Sequence, residues 1–369
     1  MSVFLPADIL LPKKGFDKWA VIACDQFTSQ PEYWEKAREI VGNEPSTLDL
    51  ILPECYLNGS KEQIASIPKK MNEYLSAGIL TEYKDAMIYT ERTLPSGKVR
   101  RGVVCKIDLS EYDYVTGKGQ IRATEATVLS RIPPRVEIRR NAPIELPHVL
   151  VFFADPGHKA LPEGPTGEVL YDVELMLGGG RIRGSLMSGE AKKSFTDAVC
   201  GGEGGFTLAI GDGNHSLAAA KASGSRYALV ELVNLFDECI VFEPIYRLAK
   251  GADFDSLAKK ADEMFGHGKN KVTMLCGEKK HEFYVDSIPC GEVDRLLKEF
   301  GCEVDYIHGT ESLEKLSGNG NVGFEFDGIA KEELFLYIEK NGVLPKKSFS
   351  MGTAYEKRYY MEGMKIQNI

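Results

Sequence analysis

Between Phe206 and Lys221 the chain changes character across one short turn. Phe206-Thr207-Leu208-Ala209-Ile210-Gly211 reads as an apolar strand, and Leu217-Ala218-Ala219-Ala220-Lys221 reads as a helix. Asp212-Gly213-Asn214-His215-Ser216 joins them. A strand that turns sharply into a helix leaves backbone N–H groups without intrahelical partners, at the positive end of the helix dipole. Such a turn accepts anions, phosphate above all. This one adds a carboxylate, a carboxamide, an imidazole and a hydroxyl, so it can also do chemistry. Asp, Gly and Asn are equally what ordinary turns use, so a purely structural turn stays open on local grounds.

The rest of the chain alternates strand and helix signals. Trp19-Ala20-Val21-Ile22-Ala23 reads as a buried strand ending at Cys24-Asp25-Gln26, followed by a helix over Pro31–Val41 with Ser29 as its cap. Lys61 to Leu80 reads as a helix closed by Ala77-Gly78. Ala86 to Ile107 reads as β structure around a Pro95-Ser96-Gly97 turn. A helix is expected from about Ala123 to Ile132, broken by Pro133-Pro134. His148 to Asp155 is continuously apolar enough for a fully buried strand. Val169–Val173 and Tyr227–Leu235 read as further strands, and the glycine clusters at 178–180 and 201–205 as turns. Phe254–Phe265 and Val293–Phe300 read as helices, Val272–Cys276 and His281–Val285 as strands. The expected architecture is α/β to α+β: a mixed β-sheet with flanking helices, and the two motif turns described here meeting in one cleft.

A chain of 369 residues suggests two domains or one large elaborated one. We expect a core domain over 1–250, holding the phosphate site. A second lobe is expected over 251–369, ending in the basic, hydroxyl-rich loop Leu344-Pro345-Lys346-Lys347-Ser348-Phe349-Ser350. A net charge of −9 disfavours a general nucleic-acid binder. No apolar run approaches the ~18 residues needed to cross a bilayer, and the start carries no secretory signal pattern. Eight cysteines without a CxxC pair read as small buried hydrophobes in a reduced cytoplasm.

The P-loop, GxSxG, HExxH and EF-hand signatures are all missing from the sequence. Of six histidines, only His215 falls at a strand–helix junction, and no spacing suggests a zinc site. A second constellation is Ile121-Arg122-Ala123-Thr124-Glu125-Ala126-Thr127. Arg122 can fork onto a phosphate, and Glu125 can act as general base towards a hydroxyl. Thr124 and Glu125 are also what a helix N-terminus uses, as cap and as dipole partner.

The two stretches Arg-Ala-Thr-Glu-Ala-Thr and Asp-Gly-Asn-His-Ser resemble hallmark motifs of a domain-of-unknown-function family, number ten-fifteen. Its members typically read Arg-x-His-Glu-x-Thr and Asp-Gly-His-His-Arg there. Val230-Glu231-Leu232-Val233-Asn234, Glu243-Pro244-Ile245-Tyr246-Arg247, Asp305-Tyr306-Ile307-His308-Gly309 and Leu344-Pro345-Lys346-Lys347-Ser348 fit the same family. That family is distantly similar to the superfamily of ParB, sulfiredoxin and free-serine kinases. The resemblance implies a nucleotide-binding core with an additional lobe. It implies Glu125 as base, Asp212 assisting Mg²⁺ or hydroxyl positioning, and His215 with the backbone at Gly213 holding phosphate. Asn214, Ser216, Arg122, Arg247 and Lys347 complete the implied phosphate site.

The chain departs from the family pattern at Thr124, Asn214, Ser216 and Tyr246. Serine in place of arginine removes a bidentate charged fork, which Arg122, Arg247 or Lys347 would have to replace. The expected function is a nucleotide-dependent phosphotransferase on a small hydroxyl compound, serine kinase-like, with ATP or ADP and Mg²⁺. Two alternatives remain: a phosphomonoester hydrolase using the same pocket, and a non-catalytic nucleotide-binding regulator.

Overall fold

The computed structural model describes residues 2–13, 15–56, 61–201 and 205–366. Residues 202–204, inside the second expected glycine turn, lie outside them. The chain forms two compact units: Met1–Ile240 together with Thr353–Ile369, and Val241–Gly352. The chain thus leaves the first unit at Ile240 and returns to it at Thr353, where a single break near residue 250 was expected.

The first unit is built on a mixed sheet, nine-stranded among the described residues. Its strands run in the order Val169–Leu175, Gly180–Leu186, Ile88–Thr93, Val99–Asp108, Tyr227–Asn234, Leu150–Phe153, Leu208–Asp212 and Ile121–Ala123. Phe4–Leu5 adds to Val99–Asp108. The pairing is antiparallel except at two places: Tyr227–Asn234 beside Leu150–Phe153, and Leu208–Asp212 beside Ile121–Ala123. These central strands are buried on both faces, which is why they read as continuous apolar runs rather than alternating ones. Helices Pro31–Val41, Lys61–Ser76, Ile132–Arg140, Gly189–Cys200 and Asn214–Ala222 flank the sheets of this unit.

Three local expectations change. The run from Trp19 divides into a helix, Phe16–Trp19, and a short strand, Val21–Ile22, which pairs with Tyr359–Tyr360. Gln30, not Ser29, occupies the cap of Pro31–Val41, with no side-chain cap bond. The helix expected from Ala123 to Ile132 is instead the strand Ile121–Ala123, a loop, and a helix over Ile132–Arg140. Proline is tolerated in the first helical turn, where its missing N–H is no loss. Pro133-Pro134 therefore opens a helix here rather than ending one.

The C-terminal segment returns through the core of the first unit. Trp19 Nε1 donates to Met361 O at 2.8 Å, and Gly363–Lys365 pairs with both Ala7–Pro12 and Ile144–Glu145. Arg358, fully buried, donates to Glu231, Glu362 and the Pro147 carbonyl. Gly102 makes room for this network, since a Cβ there would lie 2.7 Å from Glu231 Oε1.

The second unit is a six-stranded antiparallel sheet among the described residues, carrying the helices Phe254–Met264, Pro289–Phe300, Thr310–Leu316 and Lys331–Asn341. In Pro289–Phe300 the buried Val293, Leu296 and Leu297 follow helical spacing. No helix among the described residues is long and apolar enough to cross a membrane.

Candidate functional site

The strand Leu208–Asp212 ends at Gly213, and the helix Asn214–Ala222 begins at once. Gly213 has φ +80°, and a Cβ there would meet Val149 Cγ2 at 2.9 Å, so two constraints exclude a side chain. Asp212 folds back onto the turn, its Oδ1 accepting from Gly213 N at 2.9 Å. Its Oδ2 lies 3.2 Å from Lys357 Nζ. The first-turn N–H groups of Asn214, His215 and Ser216 have no intrahelical acceptor and face the strand end.

The second motif meets the first, as expected of the two turns. Ile121–Ala123 pairs in parallel with Leu208–Ile210, and Thr124 Oγ1 donates to Ile210 O at 2.8 Å. Asn214 Nδ2 donates to Glu125 O and to Thr127 Oγ1, both at 3.1 Å, while its Oδ1 accepts from Tyr112 at 3.2 Å. Asn214 thus uses both ends of its amide as a clip between the motifs. Glu125 lies half-buried on the loop just past the strand.

His215 Nε2 accepts from Val128 N at 3.1 Å, so in the neutral ring the proton sits on Nδ1. Burial pushes the His215 imidazole below its usual value, and Arg131 and Arg135 push the same way, against Asp25. His215 is therefore a neutral donor through Nδ1 at pH 7, not a cation.

Ser216 Oγ lies 3.2 Å from His148 Nε2, and His148 Nδ1 lies 2.7 Å from the Tyr360 hydroxyl. Cys24 N donates to that hydroxyl at 3.2 Å. Asp25 follows Cys24, close to His148 and Lys357; burial would raise its carboxyl, but His148, the Gln26 amide and Lys357 outweigh that and hold it low.

Three expected phosphate ligands are otherwise engaged. Arg122 donates to Gly119 O at 3.2 Å and stacks on Phe206 at 4.6 Å, at the end of the strand away from Asp212. Arg247 is fully buried in the second unit, where Nε and Nη2 fork onto Asp294. Its Nη1 donates to Ile245 O and Lys347 O, and Nη2 also to Lys346 O. Such a guanidinium holds the Lys346-Lys347 loop and has no fork left for a phosphate. Lys347 belongs to the same unit, its ammonium 4.9 Å from the Tyr306 ring.

The expected Mg²⁺ ligand, Asp212, has one oxygen on a backbone N–H and the other on Lys357. Among the described residues no three His, Cys, Asp or Glu groups converge as a metal site.

Sequence reasoning missed Asp25, His148, Arg131, Arg135 and Lys357. Asp25 had a signal, as the first acid after an apolar run. Lys357 had none, because only the return of the C-terminal segment brings it to Asp212.

Fold and turn define an α/β protein with a large mixed sheet and a sharp strand–helix junction at Asp212–Ser216. The chain belongs to the family described as "Protein of unknown function (DUF1015)", whose model matches residues 6–299. No curated protein matches it. Among solved structures it is similar to a mutant free serine kinase in complex with ADP, at 13% identity and TM-score 0.41, covering 71% of this chain and 92% of that one. It is also similar to C-terminally truncated SbnI from Staphylococcus aureus, at 10% identity and TM-score 0.41, covering 70% and 85%. A conserved hypothetical protein from Pyrococcus furiosus matches at 15% identity and TM-score 0.36, covering 69% and 93%.

Proposed function

We propose that this chain is a nucleotide-dependent phosphotransferase acting on a small hydroxyl compound, with ATP or ADP as donor. The observation that carries the reading is the Asp212–Ser216 turn: unpaired helix N–H groups, the Lys357 ammonium and a second motif clipped beside them by Asn214. Phosphoryl transfer needs positioning and positive charge more than covalent machinery. The N–H groups of Asn214, His215 and Ser216, with His215 Nδ1–H and Lys357, would hold the phosphates.

In the step itself, the P–O bond to the leaving nucleotide breaks and a P–O bond to the acceptor oxygen forms. The acceptor proton passes to a carboxylate, in this reading that of Glu125. The ParB- and sulfiredoxin-like ancestry implied by the motif turn belongs to the same proposal. A cytoplasmic location goes with a nucleotide donor.

The test is calorimetric binding of ATP, ADP, CTP, serine and phosphoserine, with and without Mg²⁺, to the wild type and His215→Ala. Nucleotide binding to the wild type, weakened about tenfold in the variant, is expected, followed by phosphorylated acceptor in a kinase assay. Glu125→Gln should then slow turnover by about 10²-fold or more while leaving nucleotide affinity unchanged. Turnover untouched by Glu125→Gln removes that residue as base, and inorganic phosphate without phosphorylated acceptor identifies a hydrolase. Nucleotide binding with no turnover at all identifies a regulator.

A further inference from the structure

Against the inner face of the helix Asn214–Ala222 lies a cavity of about 170 Å³, half open to solvent and lined by the first unit alone. Its walls are mostly hydrocarbon, from Leu50, Leu52, Met71, Ile138, Leu217 and Ala220 among others. The polar side chains that reach it are largely spent on one another: Arg135 on Glu54, and Arg139 on Glu145. The exception is the chain Tyr360–His148–Ser216. A serine hydroxyl both donates and accepts, so Ser216 Oγ keeps hydrogen-bonding capacity beyond its 3.2 Å contact with His148 Nε2. Ser216 also stands in the first turn of the helix that opens at the phosphate-accepting junction. One residue therefore belongs to the cavity and to the turn.

Size and wall chemistry restrict what fits. A dry apolar cavity of about 150 Å³ takes one benzene, so this one takes an apolar body of roughly six to nine heavy atoms. A nucleobase has a polar edge of several donors and acceptors, and each left unpaired against hydrocarbon is costly. Free serine would bring an ammonium and a carboxylate, and the charged groups lining the cavity, Glu54 with Arg135 and Glu145 with Arg139, are already paired with one another.

Resting on the phosphotransferase reading, we propose that this cavity receives the apolar body of the acceptor. Its hydroxyl lies at Ser216, beside the phosphate-holding turn. The acceptor class is then a primary alcohol on a small aromatic or branched hydrocarbon body, not a free amino acid.

The experiment titrates the full chain with benzyl alcohol, serine and adenosine, read by thermal shift and by ligand-observed NMR. Two cavity variants accompany the wild type: Ala220→Leu, which fills the space, and Met71→Ala, which enlarges it. Benzyl alcohol is expected to bind the wild type and to bind Ala220→Leu about tenfold more weakly. Met71→Ala is expected to gain 2-naphthylmethanol, which keeps the test alive should the filled variant fail to fold. Benzyl alcohol binding neither the wild type nor Met71→Ala overturns the proposal. So does adenosine or serine binding that Ala220→Leu blocks, since another ligand class would then own the cavity. ADP, titrated separately, reports on the turn. If benzyl alcohol binds and ADP does not, the phosphotransferase reading falls and with it the acceptor role.

Discussion

Lys357 and Arg358 are neighbours on the returning C-terminal segment, and they carry the same charge into opposite surroundings. Arg358 and its partners Glu231 and Glu362 are at most 2% exposed, and the guanidinium meets two carboxylates and two backbone carbonyls. Lys357 and Asp212 are 18% and 21% exposed and form one 3.2 Å contact at the mouth of the strand–helix turn. The Lys357 backbone is extended, which sends successive side chains to opposite faces. A sealed, saturated network can only hold structure together. A half-open pair with spare hydrogen-bonding capacity can exchange a partner for a ligand. The same segment thus anchors itself with one residue and furnishes the site with the next.

The largest expected effect comes from breaking the sealed side. Arg358→Met would leave Glu231 and Glu362 buried without their cation, and losing one partner of a buried pair costs about 3–5 kcal/mol. Burial would raise the Glu231 carboxyl; Arg358 and Arg100 outweigh it and hold that group low, so the variant also removes the reason it stays ionised. Urea unfolding should show a much lower midpoint, and Glu231→Gln with Glu362→Gln in the same chain should restore part of it. A midpoint that hardly moves would mean that Arg358 is no more structural than Lys357.

The sequence carried one side of this comparison and hid the other. The strand, turn and helix from Leu208 to Ala222 are local chemistry, and the apolar run, the glycine and the alanines mark them directly. The helical or buried-strand character of Pro31–Val41, Leu150–Phe153 and Tyr227–Asn234 is equally local. Arg122-Ala123-Thr124 looked like a helix start because a three-residue strand has no period of its own. Its pairing with Leu208–Ile210 is what makes it a strand. Arg247 looked like a free cation, since only the folded second unit supplies Asp294 and the loop carbonyls that use up its donors. Lys357 and Asp25 are assigned to the turn by long-range strand pairing, which no window of sequence contains.

Breaking the open side should do the reverse of breaking the sealed one. Lys357→Met removes a partly exposed pair, for which a stability change within about 1 kcal/mol is expected. ADP affinity should nevertheless fall about tenfold, the equivalent of one charge-assisted contact to phosphate. Calorimetry beside urea unfolding separates the two readouts. Equal losses in stability for Lys357→Met and Arg358→Met, with ADP binding intact, would erase the distinction between the two residues.

The smallest expected effect is a pH slope, and it sharpens the comparison at His215. Burial, with Arg131 and Arg135, holds the folded imidazole below the ordinary value near 6.5, so the unfolded chain takes up a proton first as pH falls. His215 therefore contributes stability that is present above about pH 6.5 and is lost as pH falls through its folded value. Unfolding free energy measured from pH 7.5 downward should drop below about pH 6.5, and less steeply in His215→Gln. Phosphate at the turn should act against this, because an anion beside Nδ1 favours the protonated ring. In saturating ADP the drop should be shallower. A wild type and His215→Gln with superimposable pH profiles would mean that the fold does not hold the ring below its ordinary value.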